Sequence, residues 1–424
     1  MIQADCAVRG CRQLLTCAGS LPKRGAALAD VGLLESAWVA GHQGRIVFIG
    51  DAEEFRSRVR MEYGAQVIDA SHLIGLPGFV DAHTHLPFAG SREEEFVLRL
   101  KGLTYQQIAE QGLGIQTSVK ATRAASADEL RRLCLERLDR MLLNGSTTVE
   151  AKSGYGLNPG DELKQLEALA EAARAHPVEV VPTLMAAHEI PPEFKERRED
   201  YIALVIDVII PEIRRRGLAE FFDVFCEQDV FTLEETRRLA EAARRAGFKI
   251  KIHADEFVPL GGGALAAELG AVSAEHLIAV DERGIAALGA SRTAAVLLPA
   301  VPFFLMLDRK PPARALIDAG AAVALASDFN PGSSMTESML FVLQLGVFTL
   351  KLGVEEAVNA CTANAAYALD RQESVGSLEV GKKMDILLCD LPNYLFLAYR
   401  LGTNPVRHVI KNGRIVVRDG RRLA

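Results

Sequence analysis

The sequence predicts an α/β fold: a parallel (β/α)8 TIM-like barrel with a second, smaller β-sandwich domain made from both chain ends. Three observations predict it. Eight short apolar or β-branched segments alternate with helix-like segments through the middle of the chain. Five of the nine histidines (His83, His85, His188, His253 and His276) fall at or near the ends of those segments. The two chain ends look different from the middle and contain strand-like pieces.

The eight segments run 73–85, 146–155, 178–188, 220–230, 249–256, 271–276, 293–303 and 321–328. Between them, Ser126-Ala127-Asp128-Glu129 and Thr232-Leu233-Glu234-Glu235 carry the capping-box pattern that opens a helix. Gly217, Gly247 and Gly320 stand where helices should stop. Residues 36–40 and 44–50 read as strands, as do 385–389 and 406–410. Lys411-Asn412-Gly413-Arg414 carries an Asn-Gly hairpin signal. Neither end makes a domain alone, so residues 1–72 and 375–424 are expected to form one discontinuous β-sandwich beside a barrel of 73–374. Gly261-Gly262-Gly263 lacks a following Lys-Ser/Thr and reads as a loop before a helix rather than a phosphate cradle.

Composition narrows the function classes. A chain of 424 residues is too long for one barrel alone, and 49% hydrophobic residues suffice for a large core. A net charge of −7 argues against a nucleic-acid surface. The seven cysteines are scattered without a C-x-x-C pair, which suggests reduced thiols and a cytoplasmic setting. The first residues show no leader pattern. The nearest apolar run, 201–210, is too short to span a membrane and carries Asp207, so no membrane partner is expected.

The chemistry is concentrated in Asp81-Ala82-His83-Thr84-His85. Strand side chains alternate, so His83 and His85 share a face, and two neutral imidazoles can hold a divalent metal. His253 closes the fifth segment as a third ligand candidate, and Asp328 closes the eighth as a fourth. A carboxylate there can bind the ion and also accept a proton from its water. The structural alternatives are a satisfied core histidine and a helix cap. The fourth segment has no lysine to bridge a second ion, so one metal is expected. Nitrogen and oxygen ligands suit zinc or iron.

Longer stretches are more specific. They are 83–93 (His-Thr-His-Leu-Pro-Phe-Ala-Gly-Ser-Arg-Glu), 147–156 (Thr-Thr-Val-Glu-Ala-Lys-Ser-Gly-Tyr-Gly), Pro182-Thr183 with Ala187-His188, His253-Ala254-Asp255-Glu256, Ala274-Glu275-His276, and 327–333 (Ser-Asp-Phe-Asn-Pro-Gly-Ser). With them the chain resembles the metal-dependent amidohydrolases, and among them the imidazolonepropionase family, over nearly its whole length. Pro87 and the Leu113 of Gly112-Leu113-Gly114 depart from the family pattern.

The resemblance implies that His83, His85, His253 and Asp328 bind one zinc, or alternatively iron, per subunit. It implies that Arg92, Tyr155 and His188 hold a small-molecule substrate with a carboxylate, with Glu256, His276, Asn330, Gly332 and Ser333 around the reacting ring. The reaction implied is hydrolysis of the cyclic amide of 4-imidazolone-5-propanoate to N-formimidoyl-L-glutamate, in histidine degradation, by a homodimer. Asp328, His276 and Glu256 would be catalytic: Asp328 takes a proton from water, His276 steadies the oxyanion, and Glu256 serves the leaving nitrogen. A guanidinium fork suits the propanoate, although Arg92 could instead pair with Glu93, Glu94 or Glu95. The alternatives are a cytosine-deaminase-like amidohydrolase acting on another small nitrogen heterocycle, and a non-enzymatic scaffold on the same fold. A neutral base would leave Arg92 and Tyr155 unexplained.

Overall fold

A computed structural model describes residues 1–103, 107 and 113–423; Gly112 of the departing glycine run lies outside them. Among the described residues the chain forms an eight-stranded parallel sheet and a nine-stranded mixed sheet. The parallel strands are β1 (Phe79–Asp81), β2 (Ser146–Lys152), β3 (Glu179–Ala187), β4 (Phe221–Cys226), β5 (Lys249–Ala254), β6 (Ser273–His276), β7 (Ala294–Leu297) and β8 (Ala322–Leu325). They lie side by side in chain order, as a barrel requires. β7 and β8 are entirely buried, the mark of strands covered on both faces.

Each of the eight segments read from the sequence supplies one barrel strand, with two differences. The first segment is divided at Gly78. Its early half, Ile74–Pro77, pairs with Ile2–Leu15 and Ile386–Cys389 in the other sheet, and only Phe79–Asp81 enters the barrel. A Cβ on Gly78 would lie 2.1 Å from Thr147 Oγ1, so the close crossing between sheets needs glycine. The seventh segment stops at Leu297, and behind Pro299 it continues as the short helix Ala300–Phe304.

The helix signals resolve in the same way. Thr232 and Glu235 form the full reciprocal capping box. Ser126 accepts only the Glu129 backbone N–H, without the return bond. Gly217 ends its helix in the left-handed conformation, with φ 66°. The apolar run 201–210 lies in a helical stretch, and no described helix is long and apolar enough to cross a membrane.

The nine-stranded sheet draws on both chain ends. Asn412 and Gly413, with φ 48° and 71°, make the tight turn between Val406–Lys411 and Arg414–Arg418. Alternation divides the strand Ile386–Cys389 between two cores. Ile386 and Leu388 pack with Val8, Leu14 and Ile410, while Leu387 and Cys389 join the barrel core with Ile74 and Leu76.

Among the described residues, β1 and β8 share no ladder. Low in the seam, Val80 N–H donates to the Cys361 carbonyl (3.0 Å) and the Asn364 amide donates to the Val323 carbonyl (2.8 Å). At the mouth the two sides meet directly. Asp328 N–H donates to the His83 carbonyl (3.0 Å), and His85 N–H donates to the Phe329 carbonyl (2.9 Å). Asp81 accepts the backbone N–H and hydroxyl of Ser327 at 3.0 and 2.5 Å.

Candidate active site

His83 and His85 follow β1 at the carboxyl-terminal mouth of the barrel. Thr84 between them is tied elsewhere, its hydroxyl donating to the Glu150 carbonyl at 2.7 Å. The Nε2 atoms of His83 and His85 lie 3.2 and 3.4 Å from Asp328 Oδ1. His253, near the end of β5, stands with its ring 4.5 Å from that of His83 and 5.5 Å from that of His85. One donor atom each from His83, His85 and His253 lie within 4.8 Å of one another, and the same holds for His83, His276 and Asp328.

These atoms fit a metal ion. His83 Nε2, His253 Nε2 and Asp328 Oδ1 are buried and satisfied by no protein hydrogen bond, a costly condition unless something sits among them. Two ligands bound tetrahedrally at about 2.0 Å lie roughly 3.3 Å apart, which matches the observed 3.2 and 3.4 Å. The electrostatics also ask for positive charge. Burial opposes protonation of His83, yet Glu275 and Asp328 push its pKa up to about 9. Burial likewise opposes ionisation of Asp328, but the charge of His83 and the close ring nitrogens of His83 and His85 hold it well below the usual carboxylate range.

Under this cluster lies an ionic layer that the sequence reading did not single out. Glu275 Oε2 stands 2.5 Å from His83 Nδ1, and Asp223 Oδ2 stands 3.1 Å from His253 Nδ1. Lys152 Nζ reaches Glu150 (2.6 Å), Asp223 (2.7 Å) and Glu275 (3.0 Å). Lys251 Nζ reaches Glu275 at 2.9 Å and donates to the Ala82 carbonyl at 3.0 Å. All five side chains are 0% exposed. Desolvation of each such ion costs several kcal/mol. One signal was available: Lys251 shares a strand face with His253, and Glu150 shares one with Lys152, by period two.

Above the ligand cluster is a cavity of about 100 Å³ lined by Arg92, Tyr155, His188, Glu256, His276, Asp328, Asn330, Gly332 and Ser333, among others. The structure thus brings together the residues singled out in the sequence. Their individual surroundings differ from a simple reading. Arg92 does pair with Glu95, through Nε (2.8 Å) and Nη2 (2.6 Å), but the pair is buried, with the two side chains 9% and 2% exposed. Its fork is therefore committed to a protein carboxylate. A Cβ on Gly332 would lie 1.9 Å from Arg92 Nη1, so glycine lets the guanidinium lie flat against the loop.

Tyr155 is buried, its ring 5.4 Å from His188 and 5.9 Å from His85. His188 stacks on His85 at 4.9 Å. Burial and the neighbouring histidines keep His188 neutral, so its Nδ1–H donates to the Gly154 carbonyl at 3.0 Å and Nε2 is left as the acceptor. His276 Nε2 stands 3.6 Å from Glu256 Oε2. Burial, reinforced by Asp328 and Glu227, pushes the Glu256 pKa well above the usual carboxylate range. His276 and Asp328 both hold left-handed backbone, φ 70° and 51°, a strained conformation common at functional positions.

Asn330 braces the loop instead of facing the cavity with free groups. Its amide donates to the Asp328 carbonyl (2.7 Å) and to Ser333 Oγ (2.8 Å), and its oxygen accepts the N–H groups of Gly332 and Ser333. Asp255 accepts the N–H groups of Gly261, Gly262 and Gly263 at 2.7, 3.0 and 2.8 Å. Only Gly261 of the glycine run precedes the helix Gly262–Leu269; Gly262 and Gly263, read from the sequence as loop, form its first turn. The chain's own carboxylate occupies that helix terminus and anchors the residue beside Glu256.

A model of the Amidohydrolase family matches residues 99–417. An imidazolonepropionase of Symbiobacterium thermophilum is 47% identical over 99% of this chain and 99% of its own. Another, of Geobacillus kaustophilus, is 47% identical over 98% of each chain. This chain belongs to the imidazolonepropionase family of amidohydrolases. Solved structures extend the likeness in fold alone. Atrazine chlorohydrolase from Arthrobacter aurescens TC1, complexed with zinc, has a TM-score of 0.76 at 18% identity, covering 99% of this chain and 96% of that one. An adenosine deaminase from Xanthomonas campestris with bound zinc has a TM-score of 0.74 at 18% identity, covering 100% and 95%. The imidazolonepropionase family accounts for a hydrolase of C–N bonds, and the scaffold reading falls with it.

Proposed function

We propose that the cavity hydrolyses the cyclic amide of 4-imidazolone-5-propanoate to N-formimidoyl-L-glutamate, a step of histidine degradation, with one zinc, or in its place iron, held by His83, His85, His253 and Asp328. The observation that carries the reading is the convergence of three imidazoles and one carboxylate beneath a cavity walled by a buried arginine. Family membership supports the reaction itself. A divalent ion held by these residues would supply a Lewis acid and bring the pKa of water down to about 7.

The chain's own residues do the rest. Asp328 is ionised at the outset and takes a proton from the attacking water, its second oxygen steadied by Ser333 Oγ at 3.3 Å. His276 presents a ring N–H to the carbonyl oxygen as negative charge develops there. Glu256, kept protonated by burial, gives a proton to the departing ring nitrogen. Glu95 fixes the guanidinium of Arg92, so the edge carrying Nη1 meets the propanoate, with Tyr155 and His188 closing the wall. The proposal includes a cytoplasmic homodimer without nucleic-acid or membrane partners, its oligomeric state to be read by sedimentation.

The test is to incubate the purified, metal-analysed protein with freshly made 4-imidazolone-5-propanoate and follow loss of the ring's ultraviolet absorbance. Turnover that disappears on chelation and returns with added zinc or iron is expected. No ring opening by metal-loaded protein would overturn the reading and restore the deaminase-like alternative.

A further inference from the structure

Beneath the candidate ligands the barrel interior is ionic. Barrel interiors are usually filled by branched apolar side chains. Here Glu150, Lys152, Asp223, Lys251 and Glu275 fill that layer, all inaccessible to solvent. Each carboxylate that touches a ligand histidine is also gripped by an ammonium. Glu275 Oε2 lies 2.5 Å from His83 Nδ1 and 3.0 Å from Lys152 Nζ. Asp223 Oδ2 lies 3.1 Å from His253 Nδ1 and 2.7 Å from the same Nζ. One ammonium therefore holds both carboxylates. It is itself held by Glu150 at 2.6 Å, to which Thr183 also donates at 2.5 Å.

A neutral imidazole donates at one nitrogen and accepts at the other. A carboxylate fixed on Nδ1 makes Nε2 the ligand atom and sets the plane of the ring. We propose that Lys152 is a positioning residue for the metal centre: it locks Glu275 and Asp223 onto Nδ1 of His83 and His253, so that both rings aim Nε2 at the ion. Lys251 assists from the other side, bonding the second oxygen of Glu275 (2.9 Å) and the Ala82 carbonyl (3.0 Å), the peptide that leads into His83. This rests on the metal site proposed above.

Two roles for Lys152 give opposite signs. A lysine that only balanced charge would repel the ion, and its loss would tighten metal binding. A lysine that positions the histidines would, on removal, loosen it. The experiment strips the full-length protein with a chelator and measures the Zn2+ dissociation constant by competition with a chromophoric chelator. Wild type is compared with Lys152→Met, Glu275→Gln and Asp223→Asn, with circular dichroism and thermal melting of each metal-free protein as the check on folding. The expected result is binding weaker by roughly 10–100-fold in all three variants. Long-range nitrogen–proton spectra of histidine-labelled protein should lose the Nδ1–H form of His83 in Glu275→Gln and of His253 in Asp223→Asn. Should Lys152→Met not fold, the two isosteric variants decide. Tighter or unchanged binding in a folded Lys152→Met overturns the proposal, as do isosteric variants within about threefold of wild type. A wild-type chain that binds no zinc or iron overturns the proposed function together with this inference, whereas wild-type binding with unchanged variants overturns this inference alone.

Discussion

Barrel strand β3 begins and ends in polar company of two different kinds. At its foot, Glu179 meets Lys383 (2.5 Å), Arg371 (3.4 Å) and Lys411 (3.7 Å), all from the C-terminal part of the chain. Just past its other end, His188 stacks on His85 beside the candidate ligands. The Glu179 side chain is 22% exposed, and its pairs join two sheets. The Lys152 cluster nearer the mouth is 0% exposed, and its carboxylates face histidines. Partly wet pairs contribute about 0–1 kcal/mol each, whereas fully buried ones carry a desolvation cost that stability alone does not explain. Similar lysine–carboxylate chemistry thus joins elements at one end of the barrel and lies against the candidate ligands at the other, as expected for a fold whose foot serves stability and whose mouth serves chemistry.

The comparison can be broken at either end. The largest effect is expected at the mouth: Asp328→Asn should lower kcat by about 10³-fold with an unchanged circular dichroism spectrum, and near-normal turnover would remove Asp328 from the proton path. Next, Arg92→Met should raise KM by roughly 30–100-fold, the loss of a charge-assisted contact of about 2–3 kcal/mol. A fall confined to kcat would instead make the Arg92–Glu95 pair a structural brace. The smallest effect belongs to the foot. Glu179→Gln should cost about 1 kcal/mol in thermal or urea unfolding and leave kcat and KM alone. Burial works against ionisation of Glu179, but Lys383, Lys411 and Arg371 lower its pKa. Its contribution is therefore present above the unfolded value near 4.3 and is lost as pH falls through the lower folded value. The stability gap between wild type and Glu179→Gln should close in acid; a gap that widened would mean that the foot pairs do not act through charge.

Much of this was legible in the sequence because the chemistry sits at strand ends. Period two puts His83 and His85 on one face, and capping signals and glycines mark where helices begin and stop. The division of 73–85 was not legible. Ile74 and Leu76 pack into the barrel core while their backbone pairs with the other sheet, so a continuous apolar run looked like one strand. The rest of the ionic layer stayed hidden for another reason: Asp223, Lys251 and Glu275 come from three other strands, and only the register between strands brings them beside Glu150 and Lys152. The partner of Arg92 could have been chosen in advance. Three glutamates follow it, and helical spacing favours the residue three positions on, Glu95.

The seam between β1 and β8 gives the proposed metal centre a second consequence. These strands are the first and last of the barrel, and above the Cys361 and Asn364 contacts they are joined by the peptides around His83, His85 and Asp328. An ion gripping His83 and His85 on one side and Asp328 on the other clasps the joint where the barrel closes on itself. Clips that close long loops remove the most disorder from the unfolded chain. The proposed centre would thereby also be a fastener for the protein's own ring of strands, and emptying it should loosen amide protection first along this one seam.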